Sequence, residues 1–176
     1  MTPGRPAVFL DRDGTLIVDR GFLGDPAGVE LLPTVPEALA LLAAQGFATI
    51  VISNQSGLAR GYLVEEQVRA VNAEIVRQLE NDGVAIDDWY WCSHYDAGCD
   101  CRKPEPGLVH RAVNDHGLSL AGGAMIGDRG SDVELGHRVG IAGILVPGPY
   151  DYVGPEPDLR AQTLLEAARW IVDRVR

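Results

Sequence analysis

The sequence predicts an α/β fold: a mostly parallel sheet flanked by helices in a Rossmann-like arrangement. Three observations predict it. Short apolar, β-branched runs alternate with segments whose apolar residues recur at helical spacing, the pattern of βαβ units. The runs are apolar throughout rather than alternating, as strands covered on both faces require. The polar clusters (Asp11/Asp13, Ser53/Asn54, a Cys/His group and Asp128) each follow the C-terminal end of a run, which is where open α/β sheets bind ligands. A chain of 176 residues suffices for one domain with a real core and not for two, so residues 1–176 are expected to form a single domain.

Ala7-Val8-Phe9-Leu10 is the first buried strand, and it runs directly into Asp11-Arg12-Asp13-Gly14-Thr15. Leu16 to Pro33 reads mostly as loop and carries Asp19-Arg20-Gly21-Phe22. A helix is expected from Thr34, with Glu37 in a capping-box relation to it, an apolar face of Leu39, Leu42 and Ala43, and an end at Gly46. Ala48 to Ile52 is the second strand and delivers Ser53-Asn54-Gln55-Ser56-Gly57. Val64, Val68, Val71, Ile75 and Leu79 mark a helix that Asn81-Asp82-Gly83 stops. Trp89-Tyr90-Trp91 is a third strand leading into the cysteines. A helix from Leu108 to His116 closes at Gly117. Ala124-Met125-Ile126 is a fourth strand ending in Gly127-Asp128, followed by a helix from about Ser131 to Val139. Ile144-Leu145-Val146 makes a fifth strand, and after a proline-rich stretch a last helix is expected from Leu159 to Arg174.

With 46% hydrophobic and 23% charged residues the composition is that of an ordinary globular domain. The net charge of −10 argues against a nucleic-acid-binding face. It leaves room for an anionic substrate, because a metal ion and a few placed cations reverse the field locally. Met1 to Pro6 is polar, and the apolar runs fall far short of a membrane span. The expectation is a cytoplasmic, soluble monomer that engages neither nucleic acid nor membrane.

In an extended segment Asp11 and Asp13 point the same way, and two carboxylates facing one point repel. A bound cation resolves the conflict, as does a division of labour between a nucleophile and a proton donor. A capping Asp and a turn Asp at a strand-to-loop junction fit the same letters. Cys92-x-His94 and Cys99-x-Cys101 offer four soft ligands in two close pairs, suited to tetrahedral Zn²⁺ in a closed structural site over about residues 92–103; reduced cysteines beside a surface histidine are the alternative. Ser53 and Asn54 offer a hydroxyl, an amide and turn N–H groups for phosphate oxygens, or a simple side-chain turn. Lys103, set against Pro104, can neutralise phosphoryl charge, or is a surface lysine. Asp128 can complete a Mg²⁺ site with Asp11 and Asp13, while Asp132 reads as a cap or supporting residue in the first turn of the next helix.

Asp11-Arg12-Asp13-Gly14-Thr15, Ser53-Asn54, Lys103-Pro104 and Gly127-Asp128-x-x-x-Asp132 stand in the order of the four motifs of haloacid dehalogenase-like (HAD) phosphatases, and the chain resembles that family from residue 7 to about 146. The Cys-x-His…Cys-x-Cys-Arg-Lys-Pro segment is similar to the zinc-containing branch, which holds D-glycero-D-manno-heptose 1,7-bisphosphate 7-phosphatases and histidinol-phosphate phosphatases. Asn54 to Gly61 and Val18 to Phe22 resemble the heptose enzymes; the short Tyr95–Gly98 stretch between His94 and Cys99 is closer to the histidinol type. The resemblance implies Asp11 as nucleophile and Asp13 as general acid/base. It implies Mg²⁺ on Asp11, the backbone carbonyl of Asp13 and Asp128, with Ser53 and Lys103 on the phosphoryl oxygens. It further implies a small phosphorylated sugar held by Asp19, Arg20, Gly21, Phe22, Asn54, Gln55, Ser56, Arg60 and Arg102, with Arg60 or Arg129 on a second phosphate. The segments between the motifs are filled by the helices and the zinc loop, so no large cap domain is expected. A phospho-acceptor module of the receiver kind also uses strand-end carboxylates, Mg²⁺ and a lysine, but takes them from different strands; the Asp11-x-Asp13 pair argues against it.

Overall fold

In the computed structural model, residues 4–96 and 98–175 are described; Ala97, inside the expected zinc loop, and residues 1–3 and 176 of the expected domain lie outside them. Eleven regular elements follow one another: β1 (Arg5–Leu10), α1 (Val35–Ala44), β2 (Ala48–Asn54), α2 (Glu65–Asn81), β3 (Asp88–Cys92), α3 (Gly107–His116), β4 (Leu118–Gly127), α4 (Gly130–Arg138), β5 (Ala142–Leu145), β6 (Leu159–Arg160) and α5 (Leu164–Val175). The six strands form one sheet in the order β3-β2-β1-β4-β5-β6, with every neighbouring pair parallel.

Alternation along β1 builds the two halves of the core. Val8 and Leu10 face the layer of α1, α2 and α5, meeting residues such as Leu39, Ile75 and Ile171. Ala7 and Phe9 face the other layer with Ile50, Ile52, Met125 and Val109 of α3. This order reverses direction between β1 and β4, so the two chains leave the sheet on opposite sides and open a crevice at their C-terminal ends. Asp11 follows β1 and Asp128 follows β4 at that crevice. Among the described residues, the connections after β2 (55–64) and β3 (93–106) hold no helix or strand and form no cap domain. Among the described residues no helix is long and apolar enough to cross a membrane.

Several element boundaries differ from expectation. Thr34 does not cap α1: its backbone is left-handed (φ 68°), which swings Oγ1 away from the first-turn N–H groups, and it accepts the Leu165 N–H of α5 at 3.4 Å instead. The last helix starts at Leu164 rather than Leu159. Leu159 and Arg160 pair with Ile144 and Leu145 as β6, and the helix is opened by Thr163, whose hydroxyl accepts the Glu166 N–H at 3.2 Å. β4 is also longer than its apolar core, because its first half pairs with Arg5 and Pro6 before a register shift.

Candidate active site

The end of β1 is tied to its neighbour by the Asp11 N–H donated to Ile126 O at 2.9 Å. That bond brings the Asp11 carboxylate beside Asp128 of the β4–α4 turn and Asp132 of the first turn of α4. Carboxylate oxygens of Asp11, Asp128 and Asp132 lie within 4.8 Å of one another, and all three residues are buried. Lys103 stands between two of them, with Nζ 2.7 Å from Asp11 Oδ1 and 2.7 Å from Asp132 Oδ1. Burial opposes the lysine charge, but Asp11 and Asp132 outweigh it and hold the ammonium protonated. Asp132 also accepts the Arg129 N–H at 3.0 Å, so one carboxylate caps α4 and pairs Lys103. Gly127 has no side chain to collide with it.

Asp128 is different in kind. Both of its oxygens are buried without a hydrogen-bond partner. Burial first, then the charges of Asp11 and Asp132, push its carboxyl up to about 7. A side chain at Gly14 (φ 80°) or at Gly148 would collide with Asp128, so the two glycines keep space open around it. Three crowded acids, one with orphaned oxygens in a cleared space, form the hard oxygen donor set that suits Mg²⁺.

The second motif aspartate does not join this cluster. β1 ends at Leu10 and the chain turns at Asp11–Gly14, so strand alternation no longer sets direction there. The Asp13 carboxylate turns instead to Arg12, whose Nε donates to Oδ2 at 3.0 Å and Nη2 to Oδ1 at 3.2 Å, and to Gln55 Nε2 at 3.0 Å. Burial raises the Asp13 carboxyl, the Arg12 cation working against it. Asp13 still shares the wall of one cleft with Asp11.

Ser53, next to last in β2, is buried, its hydroxyl accepting a hydrogen bond from Gln55 Nε2 at 2.7 Å. Asn54 grips the lysine segment twice: its Oδ1 accepts the Lys103 N–H at 3.0 Å and its Nδ2 donates to Lys103 O at 3.3 Å. The cleft above measures about 340 Å³ and brings together Asp11, Asp13, Asp19, Gly21, Phe22, Asn54, Gln55, Ser56, Arg60, Arg102 and Arg129. Arg20 is not among them; it donates to Gly28 O and pairs Glu30, bracing the 3-10 turn at Pro26–Gly28. Two tyrosines not singled out by the motifs, Tyr95 and Tyr150, complete the wall. Arg60 packs on Phe22, Tyr62 and Tyr95, and Arg129 lies 3.9 Å from the Tyr150 ring centre while donating to Asp19 at 3.3 Å. Aromatic residues in irregular loops carry no periodicity, so only the fold exposes these stacks.

Beyond β3, Cys92, His94, Cys99 and Cys101 converge through donor atoms lying within 4.8 Å of one another. Cys92 Sγ is 3.7 Å from Cys99 Sγ and 3.2 Å from Cys101 Sγ, and His94 Nδ1 is 3.5 Å from Cys92 Sγ. A tetrahedron with Zn–S bonds of about 2.3 Å has edges near 3.8 Å. The thiol and imidazole donors and their spacing therefore fit Zn²⁺ with no open position. Arg102, next in sequence, donates to His94 O at 3.3 Å and faces Tyr95.

Residues 100–151 match the HAD-hydrolase-like family. A D-glycero-beta-D-manno-heptose-1,7-bisphosphate 7-phosphatase of Haemophilus ducreyi is 36% identical over 146 residues, covering 78% of this chain and 80% of that protein. The protein of that name from Escherichia coli K12 is 31% identical over 98% of this chain and 91% of its own length. Among solved structures, the D,D-heptose 1,7-bisphosphate phosphatase of B. bronchiseptica, complexed with magnesium and phosphate, is similar with a TM-score of 0.85 at 29% identity, covering 96% of this chain and 99% of that one.

Proposed function

The chain belongs to the HAD-like phosphatases, and from that premise we propose that it removes the 7-phosphate of D-glycero-D-manno-heptose 1,7-bisphosphate in the biosynthesis of nucleotide-activated heptose. The observation that carries the reading is the cleft. Asp11 lines it, paired from behind with the buried Lys103, and its walls bring in three guanidinium groups, Arg60, Arg102 and Arg129. In a protein of net charge −10, such a wall suits the second, non-reacting phosphate of a small sugar. The names of the relatives support the same substrate.

In this reading Asp11 attacks phosphorus in line and the ester P–O bond breaks, leaving an aspartyl-phosphate. Lys103 and the Arg12 N–H both contact Oδ1, so Oδ2 is the attacking oxygen. Asp13, its carboxyl raised by burial, gives a proton to the departing alkoxide and then takes one from the water that hydrolyses the aspartyl-phosphate. Ser53 and Lys103 stabilise the transferring oxygens. Asp11, Asp128 and the Asp13 backbone carbonyl would hold Mg²⁺, which neutralises phosphoryl charge when bound. Cys92, His94, Cys99 and Cys101 would hold Zn²⁺ and pin the loop that carries Arg102 and Tyr95. A thiolate site of this kind suits a reducing compartment, which supports a cytoplasmic enzyme.

The test is kcat/KM in the presence of Mg²⁺ for the heptose bisphosphate, histidinol phosphate and a panel of small sugar phosphates. The bisphosphate is expected to lead by at least about a hundredfold, because a site built around a second phosphate rejects esters that lack it. A preference for histidinol phosphate overturns the substrate.

A further inference from the structure

We propose that Asn72, on α2 and outside all four motifs, is a positioning residue that acts through Arg12 to aim the proton-donating oxygen of Asp13. Arg12 is one of the largest fully buried side chains in the molecule. A buried guanidinium must satisfy its donors and its charge. Here Nε and Nη2 fork onto the Asp13 carboxylate, while Nη1 donates to Asn72 Oδ1 at 3.0 Å. Asn72 neighbours Val71 on the packed face of α2, whose Val68, Val71, Ile75 and Leu79 are buried, so its amide is delivered by a rigid element rather than a loop. Without this third contact the planar fork is free to rotate about its remaining bonds, and Asp13 turns with it.

The same geometry distinguishes the two Asp13 oxygens. Oδ2 accepts two hydrogen bonds, from Arg12 Nε at 3.0 Å and Gln55 Nε2 at 3.0 Å, with Nη2 near it only as an ion-pair contact. Oδ1 takes one longer contact, Nη2 at 3.2 Å. Oδ2 is the more heavily hydrogen-bonded oxygen, which leaves Oδ1 as the one to present the acid's proton. During attack by Asp11 the ester P–O bond breaks, the electron pair goes to the leaving oxygen, and the Oδ1 proton moves to it, giving neutral alcohol and the Asp13 carboxylate.

This inference rests on Asp13 as the acid of the proposed reaction, and the leaving group separates the two. An alkyl phosphate needs protonation on departure, whereas p-nitrophenolate leaves without it. The experiment compares kcat/KM, which reports the phosphorylation half-reaction, for the heptose bisphosphate and for p-nitrophenyl phosphate. Asp13→Asn is expected to raise the aryl-to-alkyl ratio about a hundredfold or more. Asn72→Leu is expected to raise it about tenfold, mainly through kcat, and Asn72→Asp, which keeps the acceptor, to restore the wild-type ratio. An Asp13→Asn protein with an altered ratio beside an Asn72→Leu protein with the wild-type ratio overturns the role of Asn72. An unaltered ratio in Asp13→Asn overturns Asp13 as the acid, and the inference falls with it.

Discussion

The acid cluster and the thiol cluster both gather four polar side chains within a few ångströms, but they are assembled in opposite ways. Asp11, Lys103 and Asp128 come from segments that follow three different strands, Asp132 from the first turn of α4, and all four are buried. Cys92, His94, Cys99 and Cys101 come from ten consecutive residues, and all but Cys92 are partly or fully exposed. The sheet builds the first; the second builds its own loop. Damage to the acid cluster should therefore register in chemistry and global stability. Damage to the thiol cluster should register locally, in the residues that the loop offers to substrate.

Asp11→Asn gives the largest effect on chemistry. It deletes the proposed nucleophile while Asp132 still pairs Lys103, so kcat is expected to fall by about three orders of magnitude or more with the fold intact by circular dichroism. Phosphate release at the wild-type rate would remove Asp11 from its role. Lys103→Met gives the largest effect on stability. It strands two buried carboxylates without their cation, and urea unfolding should register a loss of about 3–5 kcal/mol. A loss under about 1 kcal/mol would mean that the cluster is not held by its ion pairs.

The thiol cluster is expected to respond more mildly. In Cys99→Ser/Cys101→Ser, metal analysis should fall from about one zinc per chain to none. KM should rise about tenfold with kcat nearly unchanged, and trypsin should cut sooner at Arg102, whose bond to His94 O depends on the loop. Global unfolding along with zinc loss would erase the contrast between the two sites.

The smallest effect is a pH dependence. The folded protein holds the Asp128 carboxyl at about 7, well above its unfolded value, because burial and the Asp11 and Asp132 charges disfavour ionisation. A raised acid contributes stability that is present at low pH and lost as pH rises through about 7. In the proposed site Mg²⁺ would compete with that proton. The rise in Tm produced by Mg²⁺ should therefore be small near pH 5.5 and grow to a plateau above about pH 8. An equal rise at both ends would separate Asp128 from the metal.

What the sequence determined by itself is whatever is local along the chain. Apolar runs marked the strands because burial on both faces demands continuous hydrophobicity. The groups following those runs were legible because a parallel sheet puts every strand end on one side. Cys92 to Cys101 were legible because a short loop cannot keep its members apart. Tertiary structure alone decided which way each side chain turns once the strand ends. Asp13 left Asp11 for Arg12, Arg20 left the cleft for Glu30, and Asp132 joined Lys103 from twenty-nine residues away in the chain (132 − 103). It also decided that Asn72 of α2 meets Arg12, sixty positions earlier. Such pairings follow from how helices pack on the two faces of the sheet, and no local pattern of residues encodes that distance. The motif therefore names the candidate reacting groups, while the packing of α2 and of the β4–α4 segment sets which partners their carboxylates meet.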